Sequence, residues 1–415
     1  MYRCLYFCAV ISAGASLNAA AQDIGSRLLQ NTRVKDALAF AQTDEPRTIA
    51  DQIRLCEVPA PPFMEAARAR VFADDFRALG LQNVRIDAEG NVLGERPGRS
   101  AKPHLVLSAH LDTVFPEGTD VKVRREGQVL HGPGIGDDCR GLAVLLAIVR
   151  ALDTAAVQTA GTITFVGTVG EEGLGDLRGV KRLFRETLEG QVDRFITFDG
   201  TRYAIANTAV GSMRYRVTFT GEGGHSFGAF GIANPVHALG RAIAAIADLE
   251  VPQHPKTTFN VGRIGGGTSV NAIPEEAWME VDMRSGDPAA LEALKSRFVA
   301  AVDKALGDEN ARWNGKGPLS VKKELVGDRP PGNVPADSVV LTRAVSVTRA
   351  LGIEVVLDEG STDANFPMSL GIPAIRVGSG GTGTNAHALD EAFDTTDSWK
   401  GTQRAVLLAI GLAEP

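Results

Sequence analysis

Apolar positions recur along this chain with two different periods, and the predicted architecture changes where the period does. From Ile24 to Leu81 they return about every 3.6 residues, as in Met64-Glu-Ala-Ala-Arg-Ala-Arg-Val71, which predicts helix. Strands and helices then alternate. His104 to Leu111 reads as a strand, Gly141 to Arg150 as an apolar helix, Thr162 to Val169 as a strand, Asp176 to Glu186 as a helix and Arg194 to Phe198 as a strand. This alternation predicts an α/β fold, a mostly parallel sheet with helices on both faces. Ser212 to Thr220 instead alternates like a half-exposed antiparallel strand. A helix from Pro235 to Leu249 follows, then strands Thr257 to Ile264 and Ala277 to Met283, and a helix from Ala289 to Leu306. Val339 to Leu351 then reads as helix, Pro373 to Val377 as a buried strand and Trp399 to Leu412 as a closing helix. The expected organisation is one α/β unit, residues 22–209 and 326–415, interrupted by an α+β insertion at 210–325. Gly327-Asp-Arg-Pro-Pro-Gly332 reads as a hinge or return loop, and no internal repeat is evident.

Composition changes this picture little. The 415 residues, 44% of them hydrophobic and 22% charged, suit a globular chain with more than one core. A net charge of −7 without a basic run speaks against a nucleic-acid partner. The N-terminus adds more: Met1-Tyr-Arg3, an apolar run, and Ala19 and Ala21 before Gln22 form the three parts of a secretory signal peptide, 1–21. The protein is therefore expected to be periplasmic or secreted, with no stable membrane span after cleavage. Cys4 and Cys8 leave with the leader, and the remaining Cys56 and Cys139 make no disulfide framework.

The chemistry concentrates at strand ends. Ser108-Ala-His110-Leu-Asp112 puts an imidazole and a carboxylate on one side of a strand terminus, an arrangement suited to a metal-bound histidine steadied by an acid. Asp137-Asp138 follows a glycine-rich loop, Glu171-Glu172 and Asp199 each follow a strand, and His387 ends the loop Gly378–His387. Each alone could be an ordinary turn. Together they bring two histidines and at least four acids to one sheet edge, where free anions would repel one another and divalent metal resolves the conflict. Imidazole and carboxylate without a cysteine cluster suit zinc, with cobalt or manganese as alternatives, and the inventory matches two ions. In the pair Glu171-Glu172, one carboxylate can bind metal while the other takes a proton from water.

His110-Leu-Asp112-Thr, Gly134-Ile-Gly-Asp137-Asp138, Glu171-Glu172-Gly173, Asp199-Gly200 and His387-Ala-Leu-Asp-Glu391 together resemble the co-catalytic zinc exopeptidase and deacylase family. That family includes glutamate carboxypeptidase, tripeptidase T, succinyl-diaminopimelate desuccinylase, acetylornithine deacetylase and aminoacylase. The resemblance covers nearly the whole mature chain. It implies that His110 and Asp199 hold one zinc and Glu172 and His387 the other, with Asp137 bridging them. Asp112 would orient His110, Glu171 would be the general base, and the Asp137-Asp138 peptide would be cis. The insertion resembles the family's ferredoxin-like lid and dimerisation domain. Its His225, in Gly223-Gly224-His225-Ser226, would stabilise the oxyanion in a partner subunit of a homodimer. Asn271, before Ile273-Pro274, and Arg284, in Asp282-Met-Arg284, would touch substrate.

The chain departs from the family at Cys139-Arg140, where many members carry lysine after the two acids. Cys139 reads as a small packed side chain, a soft ligand or a redox-sensitive group. No clear match appears for the arginine with which the carboxypeptidase branch holds the substrate carboxylate. The expected activity is hydrolysis of a small peptide by an exopeptidase, or of an N-acyl amino acid by a deacylase. A non-catalytic periplasmic binding protein on the same fold is the other class, against which the complete ligand set and Glu171 speak.

Overall fold

A computed structural model describes residues 24–415; the expected signal peptide lies outside the described residues. Four strands at the centre of a nine-stranded sheet run parallel, in the order Ile163–Thr168, Leu105–His110, Arg194–Phe198 and Ala374–Val377. Every residue of the first two is buried. Successive side chains of a strand point to opposite faces, so both faces are covered. On one side of this centre, Gln82–Ile86 and Val92–Arg96 add antiparallel strands. On the other, Ile205–Ala209 pairs antiparallel with Ala374–Val377, then with Gly332–Asn333 and, in parallel, with Leu357–Gly360. The sheet is thus mixed, and the expectation of a mostly parallel one holds only at its centre. The flanking strands escaped the sequence pattern because they are short and largely exposed, as in Gln82–Ile86 and Leu357–Gly360.

The N-terminal helical stretch divides into helices Ile24–Leu28, Thr32–Thr43, Glu45–Cys56 and Ala66–Ala78. Pro59, Pro61 and Pro62 keep the segment between the last two from continuing the helix. Helix Cys139–Thr154 is buried over almost its whole length, because it lies between the sheet and helices Thr32–Thr43, Glu45–Cys56 and Trp399–Ala413. That is why its sequence is apolar nearly all round, and why the arginines it does bury are paired, Arg140 with Glu45 and Arg150 with Asp44 and Asp51. The helix expected over 176–186 begins later, since Asp176 and Leu177 take left-handed backbone angles; it runs Arg178–Arg182 and then widens into a π turn, Leu183–Thr187.

The insertion has its own core, around Val217, Phe219, Met279, Phe298 and Val302. Its four antiparallel strands lie in the order Thr257–Gly266, Glu276–Ser285, Gly211–Thr220 and Ser320–Arg329, covered by helices Pro235–Ala247 and Pro288–Arg312. This is the β-α-β-β-α-β ferredoxin-like topology. Asn234 and Asp287 cap the two helices, each accepting a backbone N–H through its side chain. The last strand was not expected, and it corrects the reading of Gly327–Gly332 as a loop: Gly327 to Arg329 belong to the strand, at a bulge after Leu325. Its charged residues, Lys322, Lys323 and Glu324 among them, hide the alternation because it lies at the sheet edge. Among the described residues, no helix is long and apolar enough to cross a membrane.

Candidate metal centre

The four parallel strands end on one edge, and the polar clusters follow those ends. His110 is the last residue of its strand; Glu171 and Glu172 follow Thr168, Asp199 follows Phe198, and the loop to His387 follows Val377. This is the edge at which open α/β sheets bind ligands. Asp137 arrives on the loop before the buried helix. There the Asp137-Asp138 bond is cis, and the Asp138 carboxylate accepts N–H groups from Gly141 (3.2 Å) and His110 (3.1 Å). Gly141 is required for this approach: a Cβ there would lie 2.4 Å from Asp138 Oδ1 and 2.5 Å from the Phe198 carbonyl oxygen.

Asp137 sits between the two histidines. Its Oδ1 is 2.9 Å from His110 Nε2 and its Oδ2 is 3.1 Å from His387 Nε2, which also lies 3.0 Å from Glu172 Oε1. Donor atoms of His110, Asp137 and Asp199 lie within 4.8 Å of one another, and so do those of Asp137, Glu172 and His387. Two ligand trios thus share one carboxylate. His110 Nδ1 is 2.9 Å from the Asp112 backbone oxygen and 3.8 Å from its carboxylate. That carboxylate instead accepts the backbone N–H groups of Glu171 (3.1 Å) and Glu172 (2.8 Å), clamping the acid pair.

The electrostatics are those of a site built around positive charge. Burial disfavours the His110 imidazolium, yet the Asp137 hydrogen bond and the charges of Asp138, Asp137 and Asp112 hold its pKa well above the ordinary value. His387 is raised to about 10 by its bonds to Asp137 and Glu172. Burial would raise Asp137, but the two histidines hold it low. Burial pushes Asp199 up to about 6, helped by Asp137 and opposed by His110 and Arg376. Glu171 is raised well above its usual range by burial, with Arg329 opposing and Glu172 adding. Two imidazoles and several carboxylates without a thiolate are donors that zinc, cobalt or manganese accept.

A cavity of about 450 Å³ opens onto these groups, lined by Asp137, Glu171, Glu172, Asp199 and His387 on one side. Arginines 214, 284, 329 and 376 line it as well. Arg284 is among them, its Nε 2.7 Å from Asp282 Oδ2. His225 and Asn271 line a separate cavity on the insertion, where His225 Nδ1 accepts the N–H groups of Phe227 and Gly228 and the Asn271 side chain meets Ser269.

Sequence reasoning missed Arg329 and Arg376 and gave Glu391 no role of its own. Arg329 ends the unforeseen strand, and its guanidinium bonds the Glu171 carboxylate (3.2 Å) and backbone oxygen. Arg376 was visible only as a charge inside an otherwise apolar strand. Glu391 accepts the N–H groups of Gly134, Gly136 and Asp137 at 2.8–3.0 Å, holding the loop that presents Asp137; burial raises it to about 7. Cys139 is fully buried beside Cys56, Ile135 and Phe393.

Residues 106–410 match the peptidase family M20/M25/M40. Among curated relatives, the chain is 25% identical over 346 residues to the succinyl-diaminopimelate desuccinylase of Corynebacterium glutamicum, covering 81% of this chain and 89% of that one. It is 27% identical over 326 residues to carboxypeptidase G2 of Pseudomonas sp. strain RS-16, covering 75% of each. Among solved structures it resembles a tripeptidase from Staphylococcus aureus with a TM-score of 0.72 at 23% identity, over 89% of this chain and 98% of that one.

Proposed function

Because the chain belongs to the peptidase family M20/M25/M40 and is a metal-dependent hydrolase, we propose that it cleaves an amide bond in a small peptide, as an exopeptidase. The observation that carries this reading is Asp137 standing between His110 and His387 at the junction of two ligand trios. In it, His110 and Asp199 would hold one divalent ion and Glu172 and His387 a second, with Asp137 shared between the two ligand sets; zinc is the first candidate. Two such ions acidify water and polarise the amide carbonyl.

The remaining work falls to the chain. Glu171 lines the cavity beside the ligands without belonging to the trios that share Asp137. It takes the proton of the attacking water and delivers it to the leaving amine nitrogen. To take that proton Glu171 must be ionised, the form that the Arg329 guanidinium 3.2 Å from its carboxylate favours. Asp112 keeps Glu171 and Glu172 in register through their backbone N–H groups. Arg284 faces the cavity to meet substrate. His225 and Asn271 lie on the insertion away from this cavity, and we assign them to the site of a second copy in a homodimer, where His225 meets the oxyanion.

A second reading, hydrolysis of N-acyl amino acids, uses the same groups and is favoured by the desuccinylase relative. One experiment serves both. Zinc-loaded mature protein is assayed on di- and tripeptides and on N-acyl amino acids, with and without chelator. We expect turnover that chelation abolishes and metal restores. Glu171→Gln should keep its metal and lose about 10²–10⁴-fold in kcat. Near-normal kcat in that variant would remove Glu171 from the mechanism, and no hydrolysis of any substrate would remove the reading itself.

A further inference from the structure

Once the expected signal peptide is set aside, two cysteines are left, Cys56 and Cys139. They are far apart in the chain, yet they meet in one small cluster with Ile49, Leu130, Ile135 and Phe393. Both are free thiols and fully buried, and each sulfur lies within hydrogen-bonding reach of the other. Among the described residues, no group of side chains placed to hold a metal ion includes either of them. That removes the soft-ligand reading of Cys139 and leaves each sulfur the other as its reactive partner.

Their positions connect the pair to the metal centre. Cys56 ends helix Glu45–Cys56 and Cys139 begins helix Cys139–Thr154, two helices that pack against each other. The Cys56 thiol donates to the Pro133 carbonyl oxygen at 3.4 Å, and the Cys139 N–H donates to that of Gly134 at 3.2 Å. Pro133 and Gly134 open the loop that presents Asp137. A lone thiol here would do no more than an alanine. Two facing sulfurs on packed helices meet the first requirement of a disulfide, opposed side chains on a fixed backbone.

We propose that Cys56 and Cys139 form a disulfide when the chain folds among disulfide oxidants, and that this bond fixes the base of the Asp137 loop. Export of the protein would bring it to such oxidants. Burial pushes the Cys56 thiol up, towards its protonated form, so exchange belongs to the stage before the cluster closes. In the open chain the Cys56 thiolate attacks a small-molecule or protein disulfide and expels one of its sulfurs. Cys139 then displaces the other from the mixed disulfide and closes the internal bond. The oxidant leaves as two thiols, carrying the two protons and two electrons that the cysteines lose. The closed cluster then shields the bond from reductants.

The test counts thiols, so that it stands apart from turnover. Mature protein is unfolded, reduced and refolded with glutathione disulfide or with dithiothreitol, and zinc is added afterwards. Thiols are counted in denaturant, and unreduced proteolytic fragments are mapped by mass. The oxidised preparation should have no free thiol and one fragment joining Cys56 to Cys139. It should melt about 5 °C above the reduced preparation, because the bond restricts the unfolded chain. It should also bind zinc about 3- to 10-fold more tightly, because the loop is held in its binding form beforehand. Cys139→Ala should show neither difference between the two preparations. Should refolding fail, protein exported by a bacterial host with its leader is alkylated at once and mapped in the same way. Two free thiols in a folded, oxidised preparation, or glutathione held on either cysteine in place of the internal bond, overturns the proposal. Equal zinc affinity with the bond present would overturn its hold on the Asp137 loop.

Discussion

Asp363 shows how one buried acid sets a pH dependence. It is fully buried, accepts the Thr168 hydroxyl at 2.5 Å through Oδ2, and leaves Oδ1 without a partner. Burial pushes its pKa from 3.8 up to about 7. The folded state therefore holds this proton more tightly than the unfolded chain does. Its contribution is present below about pH 4 and is lost as pH rises through 7. Asp363→Asn, with the shape kept and the charge removed, should flatten that part of the stability profile and raise stability at pH 8 by a few kcal/mol. Denaturant unfolding of metal-free protein at pH 5 and pH 8 measures it; an unchanged difference between the two pH values would refute the assignment. Neither Asp363 nor Arg376 was legible beforehand, because a single charge within a turn or strand carries no spacing. His110, Asp137, Glu172, Asp199 and His387 were legible because each stands beside glycines or a second acid at a strand end.

Elements present these residues, and the loop carrying Asp137 shows how. Glu391 accepts three of its backbone N–H groups, while Asp138 caps the helix behind it. Glu391→Ala should leave the fold intact and weaken metal binding about 10- to 100-fold, the usual effect of removing a group that supports ligands. Competitive metal titration reads this directly, and unaltered affinity would mean that the loop holds itself. The acid loop is tied to the insertion as well: Arg214 bonds the Gly173 carbonyl, and Asp176 Oδ1 accepts the Asp328 N–H at 2.7 Å. Strands with apolar faces, such as Leu105–His110 and Glu276–Ser285, were readable from their patterns. Edge strands such as Ser320–Arg329 were not, since solvent on one side releases them from any apolar period.

At the scale of the whole molecule, the proposed ligands come from five separate stretches between residues 110 and 387. Metal therefore binds the folded chain and has little affinity for the unfolded one. Zinc at a hundredfold excess over Kd should stabilise the protein by about 2.7 kcal/mol. Asp137→Ala should lose most of this gain, and a gain of equal size in that variant would contradict the shared-carboxylate arrangement. Chemical denaturation at fixed zinc activity compares the two. The sheet topology also bears on how such a chain is made. Strand Ala374–Val377 lies between Arg194–Phe198 and Ile205–Ala209, yet it follows both by well over 150 residues. At roughly 5–20 residues per second of synthesis, the two earlier strands emerge on the order of ten to thirty seconds before their neighbour. During that interval they offer unpaired edges while the insertion, with its own core, can already fold. The late strand then enters as a wedge, and wherever the chain folds, the two unpaired edges close only when that gap is filled.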